Sequence, residues 1–570
     1  MESKEIDSKP WGAEPRSGLF LVILALAWIL PGLFGHEPWK PDEGYTIGLI
    51  QHIFDTGDWV VPTLTGEPFM EKPPLFFITA AFFAKLFSPW LLPLHQASGM
   101  AVVLYISLMF LFVYLAGKEM GGPNTGGTAV LCLIGCIGLL VRAHSVITDT
   151  ALWCGFAMAN YGLLLAKRKG GSGAFWLGAG VGMAFMSKGF LGPAIIALAA
   201  LLLPVFCPDR RNRAYIKTLL WSLVFFSPWF VIWPAALYTR SPELFDVWFW
   251  GNNIGRFLGP RFGYAKLGGA PDKLHYLKIF FYFTLPLWPA ALSAWLKDWR
   301  GALRYAPVAL QTLLVAVGMI LLSLAAGARD LYLIILLPSL ALLAAKGEHT
   351  LPGWAARRLA DIPLIAFSVV LFACWALWLA WLSGVSPHIN AKLAEYATDL
   401  DAFTGPIAVV LALAYTVGWF WMMRPRKGFR SDWVFVWAVG ITAFWGTFML
   451  LFMPILDHAK GYRSTFAAMA VHLPEDKNSV VLESYRLGES ERAILDYYTG
   501  WRTNRIDAAG KLVDPVYPTA PYLLSKQGAG NRKPQSFETD GAWTPIWTGG
   551  RPGKTKDLFI LYKNNIQESK

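Results

Sequence analysis

Residues 41 to 74 read PDEGYTIGLIQHIFDTGDWVVPTLTGEPFMEKPP, and this stretch holds residue types that could do chemistry. Asp42 and Glu43 are adjacent carboxylates, and a carboxylate can take up a proton from an attacking group. Glu71 and Lys72 precede Pro73 and Pro74, which restrict both themselves and the residue before them, so an ammonium at Lys72 is held at a fixed position where it can meet an anion. A further isolated acid, Asp149, stands in RAHSVITDTALW without an acidic neighbour. For Asp42 and Glu43, position alone favours a solvated turn, because a carboxylate at a membrane surface costs little where water reaches it. The argument for a site is that these acids and the fixed lysine converge on one face, and that depends on the elements carrying them.

Those elements are membrane spans. Of the 570 residues 55% are hydrophobic and 15% charged, with mean hydropathy +0.42, against about 25% charged residues in a soluble domain. Up to about residue 455 the charged residues return only in short clusters between apolar runs of span length. The first run, LFLVILALAWILPGLF, lacks a small-residue cleavage site and reads as a retained span. The net charge of +12 is spread over many short loops and forms no aromatic-interleaved basic patch, so membrane topology accounts for it and nucleic acid does not. Cys132, Cys136, Cys154, Cys207 and Cys374 all fall in apolar runs, where no disulfide and no cysteine metal site is expected.

Spans are placed near 19–35, 98–117, 126–142, 150–166, 174–187, 189–207, 218–237, 277–296, 306–327, 331–345, 363–383, 405–423 and 433–453, about thirteen in all. With a cytoplasmic N-terminus the basic clusters at 167–169, 209–217, 297–304 and 424–430 all fall on the cytoplasmic side, as the positive-inside bias requires. The same register puts the 36–97 loop, the 238–276 loop, Asp149, Lys188 and Arg329 together on the opposite face.

The division expected is a polytopic α-helical membrane domain over 1–456 and an α/β domain over 457–570, outside the membrane on that same face. Strand-like runs are SVVLES (479–484), PYLLSK (521–526) and DLFILYK (557–563), with a helix over 489–501. In the 36–97 loop, Tyr45, Leu49, Ile50, Ile53 and Phe54 share a helical face and predict a helix lying in the membrane interface, and LFFITAAFFAKLF (75–87) is too short to span.

The order of Asp-Glu after the first span, GDWVVPTLTGEPFMEKPP, Thr-Asp at the end of span three, GMAFMSKGFLGPAI and RDLYLIILLPSLALL resembles bacterial polyprenyl-phosphate-sugar glycosyltransferases of the GT-C fold. Within that group it is most similar to the lipid A 4-amino-4-deoxy-L-arabinose transferases and their protein-mannosyltransferase-like relatives. The resemblance implies thirteen spans, a periplasmic C-terminal α/β domain, and transfer of a sugar from an undecaprenyl-phosphate-linked donor to a periplasmic lipid or glycan acceptor such as lipid A, by inverting displacement at the inner membrane. It also implies roles. Lys72, Arg256 and Tyr332 match positions that bind the donor phosphate, with Arg261 the rival of Arg256; Asp42 matches the catalytic carboxylate and Asp149 a second acid; Glu43 and Arg329 support them. Glu71 and His275 match positions where a carboxylate and an imidazole could hold a divalent metal, against a simple hydrogen bond; no cofactor is otherwise required.

The sequence departs from the family at Gly44, where relatives carry a bulkier polar or basic residue, and at RDLYLII, where Asp330 stands in place of a lysine-leucine-proline pattern. These departures bear on which sugar and acceptor are read. A protein O-mannosyltransferase using polyprenyl-phosphate mannose fits the same motifs, and a lipid or sugar transporter is the alternative from another class. A transporter would place its ionisable residues near the bilayer midplane and often repeat itself, whereas here the acids sit at span ends without an internal repeat. Lys188 reads as the interfacial end of a helical hairpin. Trp39, Trp59, Trp248 and Trp250 fit an interfacial belt.

Overall fold

A computed structural model describes residues 18–166, 170–255, 273–325, 327–394, 404–424, 432–474, 481–507, 511–513, 521–527, 543–551 and 557–565. Arg256, Arg261 and the basic clusters at 167–169 and 425–430 lie outside the described residues.

The chain is mostly helical, and each apolar run named above holds a helix. Among the described residues six helices are long and apolar enough to cross a membrane: Leu94–Gly121, Arg213–Arg240, Ala306–Leu324, Asp330–Thr350, Gly353–Ser383 and Trp433–Lys460. Two bent pairs raise the number to eight if each is one span, Pro123–Ile134 with Ile137–His144 (68°) and His275–Phe283 with Leu287–Lys297 (100°). All five cysteines are buried.

One helical hairpin decides much of the site. The helices Asp149–Leu165 and Gly170–Lys188 run antiparallel and pack on small residues: a Cβ added at Gly162 would lie 2.3 Å from the Leu177 nitrogen, and one at Gly180 2.4 Å from the Ala159 nitrogen. Small residues are what lets two helices in a membrane approach so closely. Because the helices have 17 and 19 residues, the first residue of one and the last of the other, Asp149 and Lys188, end at the same level.

The 36–97 loop forms the helix Asp42–Thr56, a two-stranded ribbon of β1 (Thr63–Leu64) and β2 (Glu67–Pro68), and the helix Leu75–Phe87. The sequence places both helices correctly, but the Asp42 helix is not an open interfacial one. Leu49, Ile50 and Ile53 are buried, and its glycine face lies against the helix Glu489–Thr499, where a Cβ at Gly44 would be 2.8 Å from the Ser490 Cβ and one at Gly48 2.9 Å from the Ala493 Cβ. Protein covers this surface, and the unusual Gly44 is the residue that permits the contact.

The C-terminal unit is a six-stranded sheet with β3 (Leu482–Tyr485), β4 (Thr503–Ile506), β5 (Leu512–Val513), β6 (Tyr522–Gln527), β7 (Trp543–Gly550) and β8 (Leu558–Asn564) in the order β5-β4-β3-β6-β8-β7. β3 pairs in parallel with β4 and β6, and the Glu489–Thr499 helix makes the β3-to-β4 crossover; the remaining pairs are antiparallel. Its core joins Tyr462, Phe466, Leu482, Ile494, Leu495, Trp501, Leu524, Phe559 and Leu561. The last long helix runs to Lys460, so this core begins at Tyr462. Polar contacts reinforce the junction: Lys40 pairs with Glu491, the Ser490 hydroxyl donates to the Pro41 carbonyl, and Glu67 accepts from Arg492 at 2.8 Å and Arg505 at 3.0 Å.

Candidate functional site

Asp42 is the first residue of its helix and is buried. Its Oδ2 accepts from Arg329 Nη2 at 2.7 Å and lies 3.6 Å from Arg142 Nη1, while the Tyr45 hydroxyl, one turn along, faces Oδ1 at 3.5 Å. Burial by itself pushes this carboxyl up, but the hydrogen bond and charge of Arg329, followed by the charges of Lys72 and Arg142, hold it below the ordinary carboxylate value. Asp42 is therefore ionised across the physiological range.

Lys72 is buried as well. Its ammonium donates to the Tyr45 hydroxyl and stands 4.7 Å from the centroid of the Tyr45 ring. The two prolines that follow start the Leu75–Phe87 helix, so the lysine is presented from a stiff corner. Asn252, in the π-helix Val247–Gly255, donates to the Met70 carbonyl at 2.9 Å and ties that helix to the same corner.

Asp149 forms an ion pair with Lys188, whose ammonium lies 4.4 Å from the centroid of the Tyr332 ring. Tyr332 belongs to the 3-10 helix Asp330–Leu336, directly after Arg329. The Arg329 backbone N–H donates to the Tyr276 hydroxyl at 3.3 Å. Burial, then the charges of Asp42 and Asp149, push the Tyr45 phenol well above its ordinary value against the smaller pull of Lys188 and Arg329. Asp42, Lys72, Asp149, Arg329 and Tyr332 thus form one cluster, in which two carboxylates face the four cations Lys72, Arg142, Lys188 and Arg329. These side chains come from distant parts of the chain and meet in one place.

Three members were not singled out from sequence. Tyr45 reads there as part of an apolar helix face; Lys188 was expected at the interface and is instead the partner of Asp149; Arg142 opens RAHSVITDTALW, and its nearness to Asp149 in the chain was its only signal. Glu43 is buried behind the cluster, with Oε2 accepting the Trp39 N–H and Oε1 the Val146 N–H, both at 2.9 Å, and burial pushes it up. His275 Nε2 lies 2.9 Å from Asp330 Oδ1, and Glu71 is close enough to Glu489 to raise the latter's pKa, after burial. The tryptophans divide. Trp59 and Trp250 are exposed, Trp39 donates to Asp457 at 2.9 Å, and Trp248 is buried against Trp233 and Phe185, a core position rather than a belt.

The whole helical and sheet arrangement recurs in a solved structure: it superposes on apo ArnT of Cupriavidus metallidurans with a TM-score of 0.69, covering 95% of this chain and 97% of that one at 18% identity. The chain has the ArnT fold. The structure of the same ArnT bound to undecaprenyl phosphate matches with a TM-score of 0.68 at 17% identity. Curated relatives include an undecaprenyl phosphate-alpha-4-amino-4-deoxy-L-arabinose arabinosyl transferase of Serratia proteamaculans, 28% identical over 57% of this chain and 58% of the relative. One of the same name from Pectobacterium carotovorum is 26% identical over 71% and 65%. The chain spans about half to two thirds of the length of the curated relatives it matches. The family model described as dolichyl-phosphate-mannose-protein mannosyltransferase matches residues 71–233, a stretch that runs from Glu71 and contains Lys72, Arg142, Asp149 and Lys188.

Proposed function

We propose that this protein is a glycosyltransferase that moves a sugar from an undecaprenyl-phosphate-linked donor to a lipid or glycan acceptor such as lipid A, by one inverting displacement. The observation that carries this reading is the cluster of four cations around Asp42 and Asp149 in a chain with the ArnT fold. Thirteen crossings, a cytoplasmic N-terminus, residues 1–456 as the membrane domain and 457–570 as a periplasmic domain put this cluster at the outer face of the bacterial inner membrane.

The leaving group is a lipid phosphate, on which negative charge grows as the glycosidic bond breaks. Cations already fixed around that position stabilise the charge without reorganising at the moment of reaction. Lys72 and Lys188, each over a tyrosine ring, and Arg329 are such groups, with Tyr332 beside them and Arg256 expected from the adjoining loop. Asp42 and Asp149 hold these cations in place before the donor enters, and a donor phosphate competes with them for the same N–H groups. The depressed basicity of Asp42 makes it a weak proton acceptor, which fits an acceptor arriving as a phosphate anion better than a protein hydroxyl. That distinction favours a lipid A-type acceptor over the protein O-mannosyltransferase reading. A divalent cation between Glu71 and His275 would have to share His275 with Asp330, and no step is routed through it.

Mass spectrometry of lipid A, other envelope glycans and secreted proteins from cells with and without the gene tests the reading. A sugar lost from lipid A or another phosphate-bearing envelope lipid supports it. A hexose lost from secreted proteins alone selects the mannosyltransferase, and unchanged pools with altered lipid traffic select a transporter.

A further inference from the structure

Behind the cationic cluster lies a second group of polar side chains that the transfer reaction does not use. His36 stands in the loop before the Asp42 helix, Glu43 is the second residue of that helix, and His95 is the second residue of the helix Leu94–Gly121. All three are buried, at 4%, 4% and 2% exposure, and one ligand-type atom from each lies within 4.8 Å of the others.

Among the described residues the hydrogen bonding of the group leaves buried imidazole nitrogens without a partner, and His36 Nδ1 lies 4.0 Å from Glu43 Oε2. His36 Nδ1 is 2.7 Å from the Glu37 carbonyl, a contact only an N–H can make, so the proton sits on Nδ1 and the Nε2 lone pair is free. Nε2 is buried and has no hydrogen-bond partner. Neither ring nitrogen of His95 makes a hydrogen bond of good geometry among the described residues, although the His36 backbone lies near the ring, and the two imidazoles meet edge to face at 5.2 Å between centroids. The Glu43 oxygens each accept one backbone N–H, which fixes the carboxylate and leaves a lone pair on each oxygen. An imidazole anchored through Nδ1 to a carbonyl, with Nε2 unoccupied and a hydrogen-bonded carboxylate beside it, is the arrangement that surrounding groups impose on metal ligands. Buried imidazole nitrogens otherwise find partners.

We propose that His36, Glu43 and His95 form a buried divalent-metal site, with Zn2+ the ion whose preference for imidazole nitrogen and carboxylate oxygen in four-fold coordination they match. Ligand bonds of about 2.0–2.2 Å require the three donors to draw in from their present separation by about 1 Å, which side-chain torsions supply. The site is separate from Glu71 and His275. It joins the 36–41 loop, the Asp42 helix and the Leu94–Gly121 helix, so the metal acts as a staple immediately behind Asp42, and Glu43 is a positioning residue for its neighbour.

The test uses the full-length protein, purified in detergent with any affinity tag removed, saturated with ZnCl2 and freed of excess by gel filtration. Metal is counted by inductively coupled plasma mass spectrometry, and thermal unfolding is recorded before and after chelation. His95→Ala and Glu43→Gln are each expected to carry one zinc fewer per chain than wild type, whereas His275→Ala keeps the wild-type count. Chelation should lower the Tm of the wild type and leave that of His95→Ala unchanged. Glu43→Gln preserves the shape of the side chain, so its monodisperse elution separates a lost ligand from a lost fold. Wild-type zinc content in both His95→Ala and Glu43→Gln overturns the proposal, as does a wild type that retains no zinc, or loss confined to His275→Ala.

Discussion

Asp42 and Arg329 lie 287 residues apart in the chain and meet with 2.7 Å between carboxylate and guanidinium. The contact ties the start of the Asp42 helix to the turn that presents Tyr332, so the proposed acceptor side and the proposed phosphate side of the cluster are held in one register. Asp42→Asn keeps the shape of the side chain and removes its charge. Turnover is expected to fall by roughly 10- to 100-fold, the approximately 1.5–3 kcal/mol of a charged hydrogen bond, because Arg329 loses the charged partner that orients it, while affinity for undecaprenyl phosphate is kept or raised, since the phosphate no longer competes with the carboxylate. Wild-type turnover by the purified variant removes Asp42 from the mechanism.

Lys72 is the residue whose loss is expected to reach binding and rate together. A hydrogen bond to a charged group contributes about 1.5–3 kcal/mol, so Lys72→Ala should weaken undecaprenyl phosphate by roughly 10- to 100-fold. Lys72→Arg should bind yet turn over slowly, because a planar fork does not reproduce a compact ammonium lying over the Tyr45 ring. If Lys72→Ala binds the lipid phosphate as tightly as wild type, the EKPP segment is a structural corner and nothing more.

The Asp149–Lys188 pair makes a prediction about stability. Both side chains are largely withdrawn from water, so removing one leaves the other charged and unpaired. Lys188→Met is expected to destabilise more than the double variant Lys188→Met with Asp149→Asn, and both to abolish transfer. Denaturation midpoints that simply add would show that the two groups do not interact.

How far the sequence could reach follows from these same residues. Asp42, Lys72 and Asp149 were legible because acids and a proline-locked lysine at span ends are costly and locally marked, whereas Tyr332 came only from the family resemblance of RDLYLII. Lys188 was not legible, since its partner is 39 residues away and MSKGF alone looks like the end of a hairpin; the packing of Gly162 and Gly180 that aligns the two ends shows only in space. The apolar face of the Asp42 helix was legible, but amphipathicity does not say whether lipid or protein covers it. In the C-terminal unit the three apolar strands were found, whereas β4 (TNRI) is polar and β7 (WTPIWTGG) carries a proline and two glycines. Pro545 is tolerated because β7 is an edge strand with an irregular register at that point.

Glu37 predicts a pH dependence of opposite sign to that of Asp42. Burial, then the nearby charge of Asp457, push its carboxyl from the ordinary 4.5 up to about 7, against the smaller pull of Arg463. A folded-state pKa raised above the unfolded one gives stability that is complete below about pH 4.5 and is lost as pH rises through 7. Glu37→Gln should therefore flatten the fall in Tm between pH 5 and about 8 that the wild type shows. An equal fall in both proteins would assign it to another group.

Gly44 tests whether the C-terminal unit holds the catalytic helix in place. Alanine is intrinsically better than glycine in a helix by about 1 kcal/mol, so without a contact Gly44→Ala would stabilise. Here the added Cβ would sit 2.8 Å from the Ser490 Cβ and 3.2 Å from its Cα, atoms that no side-chain rotation can move aside, so the Glu489–Thr499 helix must shift. Overpacking of this kind costs about 1–3 kcal/mol and outweighs the propensity gain. The expected result is a lower Tm, faster proteolysis of the residues beyond Lys460 and reduced turnover with donor affinity retained, because the two helices must move apart and one of them carries Asp42, while Lys72 comes from the corner beyond β2. Gly418→Ala, whose added Cβ meets nothing within 4 Å among the described residues, is the matched control and should hold or raise the Tm while leaving proteolysis and turnover at the wild-type level. A Gly44→Ala protein as stable and active as that control would mean that the two units can separate without consequence for the site.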